Sequence, residues 1–286
     1  MRAIPTALLA AVALPLLSGA SVRALLIDGA EWQPQTAALK SILETSDVFH
    51  VDVMTAPAKG NPFEPAFDRY KVVILNYGGD AWPVPTMAAL EKYVQSGGGL
   101  VVLAPAGAAF PSWPEYNLML GVSGAANRDK SAGPIWFYQG ANLAFDNDTP
   151  GPAGKAPQPD QPFQVTVRNT EHPVAKGLPL IWMHATDTLA GDLRGPGKNM
   201  VVLATAHSDA EHSGTGRDEP VLLAVSYGKG RVFHTLLGST ASGIACVGFQ
   251  TLLQRGAEWA ATGKVTVRMP TDFPHEDKAS VRPPKQ

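Results

Sequence analysis

Short apolar runs separated by glycine and proline follow the first twenty residues, and they predict buried β-strands. In the N-terminal part of the chain these runs cover residues 22–27, 48–53, 72–75 and 100–103. A run that is apolar throughout suits a parallel strand that is covered on both faces. The pattern therefore favours a central sheet with other elements packed on its two sides.

Two segments between these runs carry apolar residues at helical spacing. Residues 36–43 begin at Thr36, a suitable N-cap, and residues 86–95 end at a run of three glycines. Strands that alternate with helices in this way indicate right-handed crossovers. We therefore predict an α/β fold with a doubly wound, mostly parallel sheet.

The regular pattern lapses between residues 121 and 163, which are rich in Gly, Pro, Asn and Asp. Two aromatic runs inside this segment predict a long hairpin excursion over the sheet. Strands resume at 163–167, 200–204, 221–225 and 231–236, and a final helix covers 248–261. We predict one α/β domain over residues 21–264 and an irregular tail over 265–286, because the tail is charged and Pro-rich.

The first twenty residues resemble a leader peptide. A positive start, an apolar stretch over 7–17 and small residues at 18–20 predict a signal peptide over residues 1–20 and an exported, periplasmic or extracellular protein. An N-terminal membrane anchor is the alternative. The formal net charge is -2 and the basic residues are scattered, which argues against nucleic acid as a partner. The single cysteine, Cys246, is interpreted as a small apolar residue at a helix start.

Common catalytic and nucleotide-binding motifs are missing from the sequence. It contains neither a Gly-x-Ser-x-Gly elbow nor a phosphate-binding loop. His207 to His212 has metal-ligand residue types, but a solvated loop is the favoured interpretation, and no metal site is predicted. His184 and Asp187 could form an acid/base pair, or they could be a hydrogen-bonded pair that shapes a loop.

Aromatic and polar side chains gather where the predicted strands end. Flat apolar faces beside hydrogen-bond acceptors suit a neutral polyol, so these positions form a candidate sugar site. The tryptophans could instead cap the sheet. The predicted substrate-binding residues are Asp28, Trp32, Asn76, Tyr77, Trp113, Glu115 and Ser239.

Several stretches, in their order along the chain, resemble the ThuA-like, or trehalose-utilisation, family. They are Gly97-Gly98-Gly99, Glu171-His172-Pro173-Val174, Gly177-Leu178-Pro179, Gly228-Lys229-Gly230-Arg231-Val232-Phe233, Phe249-Gln250 and Glu258-Trp259-Ala260. The resemblance implies a class I glutamine amidotransferase-like, flavodoxin-like fold. It also implies a link to the utilisation of a disaccharide or keto-sugar, without naming a cofactor.

The chain departs from the family pattern at positions that the family keeps polar. Ala104 stands where family members usually place a histidine, and Ser239 follows Leu237-Gly238 where they have another histidine. Ala30-Glu31 replaces Asn and His before Trp32, and Asp187-Thr188-Leu189-Ala190 keeps only the Asp of Asp-Glu-Leu-Tyr. These losses raise the possibility of a pseudoenzyme.

Three functions remain open. The first is a sugar-converting enzyme in which Asp187 with Glu31 or His184 does acid/base work. The second is a sugar-binding protein without catalysis, and the third is an interaction module that uses the 121–163 excursion. His234 is a further candidate, but its place inside a strand favours a core position or a bond to a backbone carbonyl.

Overall fold

The computed structural model describes residues 21–156 and 160–284, and these residues contain one large mixed sheet with helices on both faces. The strands are β1 Val22–Asp28, β2 Phe49–Thr55, β3 Val72–Asn76, β4 Gly99–Val102, β5 Ile135–Gln139, β6 Asn142–Asp146, β7 Gln161–Val167, β8 Ile181–Asp187, β9 Met200–His207, β10 Asp218–Tyr227 and β11 Gly230–Thr235. The helices are α1 Gln33–Glu44, α2 Val84–Gln95, α3 Pro114–Leu120, α4 Ala241–Ala245 and α5 Val247–Thr262.

The sheet has a parallel half and an antiparallel half. Its order is β2-β1-β3-β4-β11-β10-β9-β7-β8, and the pairs from β2 to β11 are parallel. From β11 onward every pair is antiparallel. The prediction of an α/β fold is confirmed, but "mostly parallel" holds for only part of the sheet. Late strands joined by short connections, such as the Gly228–Lys229 turn, have no room for a crossover helix.

Both faces of the parallel half are covered, as the continuous apolar runs require. In β1, Ala24 and Leu26 pack into one core, which also contains residues of α1 and α5. Leu25 and Ile27 pack into the other core, with residues of α2 and α3. The α5 backbone approaches β4 closely, because a Cβ on Gly99 would lie 2.5 Å from the Ala260 carbonyl oxygen.

The excursion folds as a hairpin of β5 and β6, and it joins the sheet where Tyr138 pairs with Asp218 of β10. The buried side chain of Arg194 fixes its long loops by donating to the carbonyl oxygens of Gly133, Thr149 and Gly151. These bonds satisfy backbone groups that would otherwise be buried without partners.

Three elements are absent from the sequence prediction: β8, α3 and α4. Strand β8 was missed because His184 and Asp187 favoured a loop there, and α3 was missed because it begins at Pro114 in a segment rich in Ala, Pro and Trp. Helix α4 has only five residues, too few to show helical spacing. Residues 264–284 form neither helix nor strand, apart from a bridge between Cys246 and Val281. The leader predicted for residues 1–20 lies outside the described residues. Within the described ranges, the helices are too short or too polar to cross a bilayer.

Candidate functional site

A small cavity lies at the carboxyl ends of the parallel strands β1, β3, β4 and β11. We call it the strand-end pocket, and its volume is about 270 Å³. In open α/β sheets this edge is where ligands bind. Its lining residues are Trp32, Gly78, Ala104, Pro105, Gly107, Ala108, Ser123, Gly124, Ala125, Thr188, Ala190, His234, Leu236 and Ser239.

His234 is the one ionisable side chain in this lining. Its Nδ1 lies 3.0 Å from the Leu120 carbonyl oxygen at the end of α3, so Nδ1–H donates and Nε2 carries a lone pair. Nε2 lies 4.0 Å from the place a Cβ on Gly107 would occupy, at the pocket wall. Burial lowers the pKa of His234 to about 4, so the ring is neutral at physiological pH and offers Nε2 as an acceptor.

Trp32 forms an apolar wall of the strand-end pocket. A Cβ on Gly78 would lie 3.3 Å from the Trp32 ring, which is a tight contact, so the glycine leaves the ring more room at that wall. The Thr36 hydroxyl donates to the Trp32 carbonyl oxygen at 3.1 Å, and Asn76 Nδ2 donates to Thr36 Oγ1 at 3.2 Å. Trp32 Nε1 is buried without a hydrogen-bond partner among the described residues. The Trp32 backbone is thus held in place, and its ring N–H is a buried donor without a protein partner among the described residues.

Asp187 and His184 form a buried pair behind the pocket. Their side chains are fully buried, and His184 Nε2 lies 2.8 Å from Asp187 Oδ2. The Asp187 carboxylate also accepts the backbone N–H groups of Thr188, Gly238, Ser239 and Thr240 at 2.6 to 3.0 Å. Five donors occupy this carboxylate, so it fixes two segments of the pocket wall.

Cys246, at the N-cap of α5, is buried against the same pair. Burial opposes a charge on His184, but the contacts with Asp187 and Cys246 outweigh it and raise the pKa of His184 to about 9. Burial alone would raise the pKa of the Cys246 thiol, yet the neighbouring His184 lowers it. The three groups interact electrostatically, and none of them lines the strand-end pocket.

Two of the predicted aromatic residues belong to the core. Tyr77 and Trp113 pack with Phe110 at ring-centroid distances of 5.8 and 5.6 Å. Trp113 also stacks on Tyr116 at 5.6 Å, and the Tyr77 hydroxyl donates to the Asp80 carbonyl oxygen. Neither ring reaches the strand-end pocket, so the apolar face offered there comes from Trp32.

The predicted carboxylates also lie outside the pocket lining. Glu31 is exposed in the first turn after β1, and Glu115 is half-buried at the start of α3. Asp28 is buried at the end of β1, and its Oδ1 has no hydrogen-bond partner among the described residues. Of the ten predicted site residues, the structure therefore brings Trp32 and Ser239 together at the pocket.

The segment from His207 to His212 folds as a loop with local bonds. Asp209 accepts the Glu211 N–H and lies 2.7 Å from His212 Nδ1, while His207 bonds to Asp218. Within the described ranges there is no group of three or more His, Cys, Asp or Glu side chains placed to hold a metal ion.

His234 is the residue that the sequence interpretation undervalued. The expected bond to a backbone carbonyl is present, but it uses only one ring nitrogen. Its position in the sequence could have indicated this role. A polar residue near the carboxyl end of a parallel strand lies at the edge of the crevice where ligands bind. The substituted positions Ala104, Thr188, Ala190 and Ser239 meet around it.

The fold and the strand-end pocket define an α/β protein with a polar crevice at the end of its parallel strands. The family model for ThuA, described as trehalose utilisation, matches residues 23–260, and the chain belongs to this family. Membership supports a general role in carbohydrate utilisation. The search of curated proteins finds no significant match.

Solved structures support the same family. A ThuA-like protein from Parabacteroides merdae is 42% identical, with a TM-score of 0.86, over 92% of this chain and 98% of that one. A ThuA-like protein from Bacteroides uniformis is 19% identical, with a TM-score of 0.57, over 89% and 97% of the two chains. A β-galactosidase from Bacillus circulans is 14% identical, with a TM-score of 0.53, over 88% of this chain and 33% of that one. The last two likenesses concern the fold alone.

Proposed function

We propose that the strand-end pocket binds one ring of a neutral sugar and that this binding serves carbohydrate utilisation. The main observation is the set of groups that meet there: the Trp32 ring, the exposed Ser239 with its hydroxyl, and His234, whose Nε2 is an unused acceptor. The hydroxyls of Ser123 and Thr188 also lie at the pocket, where they already donate to the Gly107 carbonyl oxygen and to Asp160. A sugar ring presents C–H groups to an aromatic face and hydroxyls to polar partners. The lining contains no carboxylate, which suits a neutral ligand.

The volume of the strand-end pocket limits the size of the ligand that can enter it. Sites for drug-sized molecules typically measure about 300–1,000 Å³, and this cavity of about 270 Å³ lies just below that range. We therefore expect one ring of a disaccharide or keto-sugar to enter, with any second ring outside. The family description supports this substrate class.

The geometry favours binding over the acid/base mechanism first predicted. Asp187 is occupied by five donors, and Glu31 is exposed away from the pocket. A general base works best when its pKa is close to the operating pH, whereas the pKa of His234 is lowered to about 4 by burial. We assign His234 the role of a hydrogen-bond acceptor, and Asp187 with His184 the role of positioning residues.

We also propose export, on the basis of the leader-like sequence of residues 1–20. Expression of the full chain followed by N-terminal sequencing of the secreted product tests this part. Cleavage after the small residues at 18–20 supports export, and an uncleaved cytoplasmic product overturns it.

Tryptophan fluorescence and calorimetry with a sugar panel test the binding proposal. We expect one sugar class to bind and to change the emission of Trp32. The variant Trp32→Phe reduces the aromatic face and removes an indole N–H that has no partner among the described residues. It should weaken the affinity about fivefold, because one hydrogen bond contributes about 1 kcal/mol.

Trp136→Phe is the matched control. Trp136 is also half-buried, but its Nε1 already donates to the Gly195 carbonyl oxygen at 2.9 Å, in the excursion. Its substitution should leave sugar affinity unchanged. No binding by a well-folded protein, or equal losses in both variants, would contradict the strand-end pocket as the sugar site.

A further inference from the structure

Arg128 is a buried cation without an acidic partner. Its side chain is 2% exposed and donates to the carbonyl oxygens of Gly107 at 3.1 Å and Ala109 at 2.8 Å, and to the Asn117 side-chain oxygen. Among the described residues no carboxylate lies within 4.0 Å of it. A buried charge is ordinarily paired, because an unpaired one is costly to remove from water.

The guanidinium retains donors after these bonds. It carries five N–H groups in a planar fork, and the three bonds to Gly107, Ala109 and Asn117 use one on each nitrogen. One N–H on each terminal nitrogen is left. Two such donors match the two oxygens of a carboxylate or phosphate.

Arg194 shows what a purely structural arginine does in this chain. It is fully buried and also bonds to three carbonyl oxygens through its three nitrogens. It borders a narrow crevice that has no room for a water molecule and that Arg128 also lines. Arg128 in addition borders an open cavity of about 490 Å³. The difference between the two is the space available for a ligand.

The cavity beside Arg128 is separate from the strand-end pocket, and we call it the Arg128 cavity. Its polar lining comes from Ser112, Asn117, Asn127, Asp129 and Ser131. Gly107, whose carbonyl oxygen binds Arg128, lines the strand-end pocket, so one stretch of chain forms the wall between the two cavities. The lining thus combines one buried cation with several groups that suit hydroxyls.

We propose that the Arg128 cavity binds a hydroxylated oxyanion of the sugar-acid class, with its carboxylate on Arg128. The presence of Asp129 in the lining favours an anion that also carries hydroxyl groups over an anion without them. Its Oδ1 accepts the Ser131 N–H at 2.8 Å and the Ser131 hydroxyl at 2.6 Å. The negative charge of Asp129 disfavours a multiply charged ligand such as phosphate. The Asp129 carboxylate can also accept hydrogen bonds from the hydroxyls of a ligand.

An anion in this cavity would also affect the strand-end pocket. Apart from burial, the positive charge of Arg128 contributes to the lowered pKa of His234. A bound carboxylate would offset that charge and raise the pKa of His234 toward its ordinary value. The two cavities would therefore be linked through one wall and one electrostatic interaction.

Calorimetry at constant ionic strength with glucuronate, glucose 6-phosphate and glucose tests the site. Ser112 is exposed at the cavity, so Ser112→Asp adds a negative charge without touching the bonds of Arg128. We expect glucuronate to bind, and Ser112→Asp to weaken it at least tenfold. Ser112→Asn is the matched neutral control and should bind as the unaltered protein does.

Each probe has a defined meaning. Stronger binding of glucose 6-phosphate than of glucuronate would overturn the carboxylate assignment, and equal binding of glucose would overturn the anion site. Equal affinities of Ser112→Asp and Ser112→Asn for glucuronate would also overturn the anion site. In an NMR titration, glucuronate should raise the pKa of His234. Trp32→Phe separates this proposal from the sugar site, because it should leave glucuronate binding intact.

Discussion

Two buried histidines with opposite surroundings show how this fold separates support from function. His184 donates to Asp187 and touches Cys246, which raises its pKa to about 9 although burial opposes the charge. His234 has no acidic side chain beside it among the described residues, and burial lowers its pKa to about 4. The first ring has a charged partner and lies off the pocket. The second is neutral and lines it.

The difference shows that two residues of catalytic type can lie together without having donors or acceptors left to bind a ligand. The His184–Asp187 spacing left an acid/base pair and a hydrogen-bonded pair that shapes a loop as alternatives. In the structure the two side chains are hydrogen-bonded within a strand, and the carboxylate also accepts four backbone N–H groups. A ligand needs an unused donor or acceptor at a cavity. His234 meets that requirement, because it lines the strand-end pocket and only its Nδ1 is bonded within the protein.

Asp187→Ala should have the largest effect on this comparison. It removes the acceptor of four backbone N–H groups and leaves His184 buried without its acidic partner. Breaking a buried pair by removing one partner costs about 3–5 kcal/mol. Chemical denaturation should therefore show a loss of that order in the free energy of unfolding.

Asp209→Ala is the matched control for that experiment. Asp209 and His212 have the same i, i+3 spacing and lie 2.7 Å apart, but both are exposed. Water and salt screen such pairs, so the change in unfolding midpoint should be far smaller. Similar losses in the two variants would show that burial of the Asp187 pair does not matter.

The pH dependence of stability should sharpen the contrast next. The folded-state pKa of His184, about 9, exceeds its ordinary value. The pair's contribution is therefore fully present below about pH 6.5 and is lost as the pH rises through about 9. Unfolding free energies measured from pH 6 to 10 should fall over that window. In His184→Gln the free energy of unfolding should depend less on pH in this range. An unchanged pH dependence would show that the His184–Asp187 ion pair is not its cause.

His234 variants test the other half of the comparison. An Asn amide resembles the Nδ1 side of the ring, so His234→Asn should keep the bond to Leu120 and lose the Nε2 acceptor. We expect about a tenfold loss of sugar affinity, the equivalent of about 1.4 kcal/mol, with stability largely retained. His234→Gln, which resembles the Nε2 side, should retain more affinity. The opposite ranking in calorimetry would argue against Nε2 as the ligand's partner.

The fold was more predictable than the site because its signals are local. Apolar runs and helical spacing indicated β1, β3, α2 and α5, since burial on both faces constrains every residue in such runs. Strand β8 was missed because its buried polar residues depend on partners distant in sequence. Asp187 is satisfied by residues 238–240, about fifty positions away.

The candidate site shows the same limit. Trp113 and Tyr77 follow strand ends, as Trp32 does, and nothing local distinguishes the three. Phe110 fills the space between the first two and places them in the core. Trp32 remains at the crevice because Gly78 leaves room beside its ring. Packing across the chain therefore decides which of these aromatic rings lines the strand-end pocket.

Ser239→Ala should give the smallest effect, at the residue where the two regions meet. The Ser239 backbone N–H donates to Asp187 at 3.0 Å, while the exposed residue itself lines the strand-end pocket. Alanine keeps the backbone bond and removes only the hydroxyl. Calorimetry should show a twofold to fivefold loss of sugar affinity, about 0.5–1 kcal/mol for one exposed hydrogen bond, with an unchanged unfolding midpoint. A shifted midpoint with intact affinity would instead assign the Ser239 side chain to the support of Asp187.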